Sequence, residues 1–410
     1  MIDTKAFGAA LNESGFNFYS GVPCSYLKYL INYALNECDY VMAANEGDAA
    51  ALCAGAYLGG RRPVILCQNS GLTNAVSPLT SLNYIFKIPI LGFVSLRGGA
   101  GYKDEPQHEL MGKITGGLLD LMKIKHETLS KRPDEYKLQI KRAAKYIDNN
   151  ESYFFIVEKD TFCEINLKTT GCHNKFIKTG YVKTSENFAA APCKDAGHVS
   201  ASEAKSAATP PPERIEALKI ISGFAGDKTV LIAATGKTGR ELYDLSDRPN
   251  NFYMVGSMGC ANSIAAGLAL CKPDINVIAI DGDGALLMRM GAMATTGYYA
   301  PGNMLHILLD NRSHASTGGQ FTVSSGVDFA AVAHACGYAR SFSARSPGSL
   351  KTLIGEWKKE PRLTFIHLII NKNETNEPGR PGISLPEIRR RFMDFLNLAG
   401  SEDTIGIIKQ

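Results

Sequence analysis

The chain has 410 residues, 45% of them apolar and 20% charged, which is material for two buried cores and ordinary for a globular protein. A net charge of +4 without a long basic run argues against nucleic acid and membrane surfaces as partners, and no apolar run approaches the ~20 residues that span a bilayer. The ten cysteines form no Cys-x-x-Cys pair; this argues against a zinc site or a disulfide framework and suits packed thiols (Cys53, Cys67, Cys336) in a reducing cytoplasm.

In chain order, a surface helix from about Asp3, with no apolar core of signal-peptide length, leads to a short strand from Phe16 to Tyr19. Gly21-Val22-Pro23-Cys24-Ser25 then turns into a helix whose first turn tolerates Pro23. A strand from Tyr40 to Ala44 runs into Asn45-Glu46-Gly47-Asp48 and a small-residue helix, Ala49 to Leu58. A carboxylate in that place is commonly a dipole-favoured helix start, so Glu46 alone decides nothing. The strand Pro63 to Cys67 ends on Gln68-Asn69-Ser70-Gly71, and a helix containing Asn74 to Leu82 follows. Ile88 to Leu96 is the next strand, ending on Arg97-Gly98-Gly99. From Gly98 to His108 the chain has neither helical nor strand period, and glycine- and charge-rich loops at a sheet edge often carry function. An amphipathic helix, Asp134 to Ile147, and a strand, Ser152 to Glu158, complete a first domain set at residues 1–183.

Residues 184–212 are rich in Ala, Ser and Lys and end in three prolines; they have little to bury and read as a flexible linker. The second domain, 213–400, opens with a helix from Glu213 to Phe224 and a strand from Thr229 to Ala233. The next residues, Thr235-Gly236-Lys237-Thr238-Gly239, lack the spacing of a Walker A loop, yet Thr235 and Gly236 can offer backbone N–H groups to an anion. Val255-Gly256-Ser257-Met258-Gly259 starts a helix from Asn262 to Leu270. Ala54 to Leu58, a turn, and Pro63 to Leu66 are echoed by Ala266 to Leu270, a turn, and Val277 to Ile280, which suggests two related sheet domains. A helix from Asp328 to Cys336, a strand from Thr364 to Ile370 and a basic helix from Pro386 to Leu398 precede a short tail, 401–410.

The stretch from Ile275 to Gly318 carries the chemistry. Val277 to Ile280 and Met304 to Leu309 read as buried strands joined by a helix from Ala285 to Tyr298, a crossover that makes them parallel. One strand ends on Asp281-Gly282-Asp283-Gly284 and the other on Asp310-Asn311-Arg312-Ser313, so both loops open at the ligand-binding edge of the sheet. The Asp283 carboxylate, the Asn311 amide oxygen and a backbone carbonyl near Ser313 suit a hard divalent cation such as Mg2+, which fills its octahedron with water and phosphate oxygens. Gly284 lets the backbone approach a phosphate, and the N–H groups from Gly284 and Ala285 point at an anion. An EF-hand fails on its acidic spacing, since position twelve from Asp281 is Ala292. A dinucleotide fingerprint fails because residue 287 is no glycine. A plain Asp-Gly turn remains the bland reading.

Gly282-Asp283-Gly284 after one strand and Asp310-Asn311 after the next resemble the signature of thiamine-diphosphate enzymes, in which the central Asp and the second residue of the pair bind the metal. Many members carry Asn where this chain has Asp310. The resemblance implies an α/β architecture of two thiamine-diphosphate-binding domains, each a mostly parallel sheet flanked by helices, with thiamine diphosphate and Mg2+ as cofactors. It gives Glu46 a role: a carboxylic acid on the pyrimidine nitrogen favours the imino tautomer, which takes the thiazolium proton. It gives Met258 the prop under the bent cofactor and sets Asn69, Ser70, Gly256, Thr235 and Gly236 beside that cofactor.

Without a third domain between the two halves, the chain is similar to the short 2-oxoacid decarboxylases of this family. Gly21 to Ser25, Gln68 to Gly71, Asp104-Glu105-Pro106-Gln107-His108 and Gly256 to Gly259 resemble the branch whose substrate is a 2-oxoacid carrying an anionic phosphonate. The sulfonate-bearing substrate is the runner-up, and a carboligase on the same cofactor is the other alternative. Such a substrate needs cations or several donors, for which Ser25, Arg97, Lys103 and Gln107 are candidates; His108 is a candidate proton donor because its pKa lies near neutrality. The family joins the pyrimidine half of one subunit to the diphosphate half of another. The expectation is therefore a homo-oligomer with Glu46 and Asp283 at a subunit interface.

Overall fold

In a computed structural model the chain is described over residues 1–101, 103–168, 210–372 and 378–405, the last six by their backbone only. Two compact units emerge: residues 1–168, 266–272 and 384–393 form one, and the remaining described residues the other. Most of the stretch expected to be a linker, 184–209, lies outside the described residues.

The first unit is built on six strands: β1 (Phe16–Gly21), β2 (Asp39–Met42), β3 (Arg62–Gln68), β4 (Leu91–Ser95), β5 (Lys125–Thr128) and β6 (Tyr153–Val157). They lie in the order β2-β1-β3-β4-β6-β5, and every pair is parallel. Helices cover the strands, so the inner ones read as unbroken apolar runs: Val64 to Cys67 and Tyr153 to Val157 are buried throughout. Phe7, fully buried, meets Phe93, Tyr136 and Phe162 edge-on at 5.8, 5.2 and 5.3 Å. Phe7→Ala leaves a ring-sized void among three aromatic partners and is expected to cost about 3–5 kcal/mol, read from the urea midpoint of the full chain.

The second unit has its own six: β7 (Thr229–Ala233), β8 (Asn251–Tyr253), β9 (Asn276–Gly282), β10 (Met304–Asp310), and, after a two-residue pair β11 (Ser313–His314) and β12 (Gln320–Phe321), β13 (Arg340–Ala344) and β14 (Thr364–Ile369). Their order is β13-β14-β10-β9-β7-β8, again all parallel. Counted from each unit's first strand, both sheets follow one winding: second, first, third, fourth, sixth, fifth. The sequence echo falls on equivalent elements, since β3 and β9 are each the third strand and each follows a small-residue helix, Glu46–Leu58 and Ala261–Cys271. In both units the winding reverses between the first and third strands, the place where open sheets form a crevice.

Several expected elements are revised. The helix containing Asn74 takes in part of the expected turn: it begins at Asn69, directly after β3, and loosens into a π-helical turn, Leu79–Asn83. The single helix expected from Ala285 to Tyr298 is two, Asp283–Met288 and Ala292–Tyr299, with the break at Arg289-Met290-Gly291. The last helix, Leu385–Ile405, continues past Leu398, where the apolar period stops, and runs through Gly400. A further helix, Pro347–Lys359, had a readable start: Ser346 caps it, Pro347 sits at its first position and Ser349 closes the capping box.

Candidate active site

The neighbouring parallel strands β9 and β10 deliver their carboxyl ends to one open cleft. It is lined from three strand ends: Thr235 and Gly236 after β7, Gly282 to Ala285 at the end of β9 and just past it, and Asn311 and Ser313 after β10, with Met258 also in the lining. Of the residues expected here, only Gly256 falls outside the lining; it lies two residues before Met258 in the same turn. Arg214, Lys237, His314 and Ser316 line the cleft too, none of them among the residues expected to bind there.

Asp283 opens its helix directly after the strand and is buried. Thr322 Oγ1 donates to its Oδ2 and lies 3.0 Å from Ser324 Oγ, which donates to Asp310 Oδ1 at 2.9 Å. Asp310 also takes the Arg312 amide at 2.9 Å and sits 3.0 Å from His367 Nε2. Burial pushes the Asp310 carboxyl up, but the His367, Arg312 and Ser324 bonds together hold it below its ordinary value. The acid at position 310 is thus matched by His367, on β14, which faces it. Asp283 has no such partner among the described residues. Burial and the neighbouring Asp310 charge push its pKa up.

A buried carboxylate at the wall of a cleft suits a hard divalent cation. Asn311 accepts the Ser313 amide on Oδ1 at 3.2 Å, while its Nδ2 is buried with no partner among the described residues. One carboxylate, one amide oxygen and the backbone carbonyl of residue 313 suit Mg2+ completed by phosphate and water, and the orphaned Nδ2 suits a polar ligand in the cleft. No group of three or more His, Cys, Asp or Glu that could hold a metal is found among the described residues, so a zinc-type cluster is not what this cleft offers. Gly284 fits the same picture, because a Cβ there would stand 2.6 Å from the His314 ring and 3.1 Å from Met258 Cε.

The first unit gathers its candidates at the corresponding edge. Glu46 is the first residue of its helix, capped by Asn45, and its side chain is buried. Asn74 Nδ2 donates to Glu46 Oε2 at 2.9 Å, a partner that sequence alone did not suggest. Gly71 lies against the acid so closely that a Cβ would fall 1.9 Å from Oε1. Gly71→Ala is thus expected to push the Glu46 carboxylate aside and lower turnover about 100-fold while the melting temperature stays within a few degrees, checked by initial rates beside a thermal melt.

Asn69 is fully buried and its amide is committed inside the fold, donating to Arg97 O at 2.8 Å and Thr115 Oγ1 at 3.2 Å. Ser70 accepts from Gln68 Nε2 at 2.5 Å. The Gln68 oxygen takes the Cys24 thiol at 3.4 Å, and that thiol lies 3.1 Å from Ser95 Oγ, so the ends of β1, β3 and β4 are tied together. Ser25, Lys103 and Gln107 are exposed, and Arg97 is bound on both sides of its guanidinium by Asp104 and Ser25. His108 is buried in a turn, Pro106–His108, with Nδ1 unpartnered among the described residues.

A family profile described as thiamine pyrophosphate enzyme, C-terminal TPP binding domain, matches residues 234–368, the span that contains the cleft. A phosphonopyruvate decarboxylase of Streptomyces viridochromogenes is 38% identical over 97% of this chain and 95% of its own. A sulfopyruvate decarboxylase of Methanosarcina acetivorans is 27% identical over 95% and 96%. Among solved structures, the benzoylformate decarboxylase of Polynucleobacter necessarius superposes with a TM-score of 0.65 at 13% identity, covering 92% of this chain and 100% of that one, which shows the shared fold. With better than a third of its residues matched along nearly all of both sequences, the chain belongs to the phosphonopyruvate decarboxylase family of thiamine pyrophosphate enzymes.

Proposed function

We propose that the chain converts 3-phosphonopyruvate to phosphonoacetaldehyde and carbon dioxide, a step of phosphonate biosynthesis, with thiamine diphosphate held through Mg2+. The observation that carries the reading is Asp283 and Asn311 on one cleft, the first a buried acid without a cationic partner among the described residues, the second with an orphaned amide nitrogen. Asp283, Asn311 and the carbonyl of Ser313 would hold the ion. The N–H groups at Thr235, Gly236, Gly284 and Ala285 would meet the diphosphate, and Met258, near Gly256, would bear on the rings. Bound there, the cofactor supplies the carbon nucleophile and the electron sink for decarboxylation.

Glu46 would keep a proton on the cofactor's pyrimidine nitrogen, with Asn74 fixing its carboxylate and Asn69 and Ser70 shaping the edge beside it. Ser25, Arg97, Lys103 and Gln107 would hold the anionic substrate, and His108 would return a proton to the carbon that loses carbon dioxide. The assembly we propose is a homo-oligomer in which the half bearing Glu46 in one subunit serves the half bearing Asp283 in another. No helix among the described residues is long and apolar enough to cross a membrane, and all eight described cysteines are free thiols, which supports a cytoplasmic location. We expect no nucleic-acid partner. The test is carbon dioxide release from phosphonopyruvate, sulfopyruvate and pyruvate with Mg2+ and thiamine diphosphate supplied. Phosphonopyruvate is expected to give the highest kcat/KM, and a higher value for sulfopyruvate would reassign the substrate.

A further inference from the structure

Arg97 follows β4 at the carboxyl edge of the first sheet. Nε donates to Asp104 Oδ2 at 2.7 Å, Nη2 to Asp104 Oδ1 at 2.5 Å, and Nη1 to Ser25 Oγ at 3.2 Å. The Tyr26 ring lies 4.8 Å beneath the guanidinium, and its hydroxyl donates to Asp104 Oδ2 at 3.1 Å. Asp104 takes two more donors, the amides of Gly98 and Glu105, both at 2.9 Å. Five donors on one carboxylate pin the loop and leave Asp104 nothing with which to meet a ligand. Arg97 bonds hold the Asp104 carboxyl far below the usual range, so the pair stays ionised at any working pH.

The guanidinium is not exhausted. It has five N–H groups, and three are used among the described residues. The other two are one on each terminal nitrogen, and one of those nitrogens, Nη1, reaches the exposed Ser25 hydroxyl. Two coplanar N–H groups flanked by a hydroxyl match adjacent oxygens of a tetrahedral anion. Stacking on Tyr26 and the two-point bond to Asp104 fix the plane in advance, so little side-chain entropy remains to be lost on binding.

The substrate proposed above offers two anionic ends, and their chemistry separates them. The carboxylate loses its charge as carbon dioxide leaves, so a cation on it favours the ground state over the transition state and slows the step. The phosphonate keeps its charge from substrate to product. We infer that Arg97 with Ser25 grips the phosphonate, and that Asp104 and Tyr26 are positioning residues that hold the guanidinium for it. The inference rests on the phosphonopyruvate reading and adds which residues recognise which end.

The test uses the full chain with Mg2+ and thiamine diphosphate, phosphonopyruvate and pyruvate as substrates, and methylphosphonate as inhibitor. Arg97→Ala is expected to lower kcat/KM for phosphonopyruvate at least about 30-fold more than for pyruvate, and to raise the methylphosphonate Ki by a similar factor. Asp104→Asn is expected to raise KM for phosphonopyruvate about tenfold with kcat within about threefold, and Tyr26→Phe, which keeps the ring and removes one of the five donors, to raise it about threefold. Equal losses on both substrates, an unchanged Ki in Arg97→Ala, or a fall confined to kcat overturns the inference, because a damaged fold does not select for a phosphonate. If the parent enzyme releases no carbon dioxide from phosphonopyruvate, the preceding reading fails and takes this one with it. If the parent is active and the variants keep its KM and Ki values, this inference alone fails.

Discussion

Asp283→Asn is expected to abolish Mg2+-dependent binding of thiamine diphosphate, weakening it more than about 100-fold in a calorimetric titration and lowering carbon dioxide release about as far. The amide keeps the shape and can still accept from Thr322, so the fold is spared and the lost quantity is charge. Burial and the Asp310 carboxylate already push Asp283 up, which means that the cofactor-free fold carries a charge it does not offset. Removing that charge is thus expected to leave the apoprotein's melting temperature unchanged or higher. A variant that melts like the parent and still binds the cofactor with parental affinity would remove Asp283 from the metal site.

Glu46→Gln is expected to separate turnover from binding. The amide oxygen of Gln can still accept from Asn74, and Gly71 still has no Cβ to contest the space, so the local packing persists. What disappears is the acid–base function, a loss of about 100- to 10,000-fold in kcat with cofactor affinity within a few-fold. Deuterium exchange at the reactive carbon of bound thiamine diphosphate, followed by proton NMR, reads the step directly. Exchange at the parental rate in Glu46→Gln would show that Glu46 has no part in it.

The residues legible in the sequence lie where the chain leaves a central strand. Buried strands such as β9 and β10 announce themselves as apolar runs, and the polar residues that break the runs stand at the sheet edge by construction. In the two six-stranded sheets the strands that escaped reading are β5, β8 and β13, all at the rims. The Lys-His-Glu-Thr of β5 is partly exposed and carries no apolar run, and β8 is only three residues long. The supporting residues escaped for another reason. Thr322 reaches Asp283 across 39 positions and His367 reaches Asp310 across 57, and no local pattern encodes a contact made only after the sheet has closed. Asn69 shows the converse: its motif is plain in the sequence, but the fold spends its amide on Arg97 and Thr115.

The common winding of the two sheets gives Asn69 and Asp283 the same address, the first helical residue after the third strand. In one half, Asn69 reaches the carbonyl of Arg97 and so staples the third strand's end to the loop after the fourth. In the other half, among the described residues, Asp283 is tied to the fourth strand's end through the hydroxyls of Thr322 and Ser324 and not directly; Asn311 also stands beyond that strand's end, and an ion between Asp283 and Asn311 would be a direct clasp. Chelation should therefore slacken one half of the chain and leave its twin taut, and amide exchange at the tips of β9 and β10, set against β3 and β4, is where that asymmetry would register.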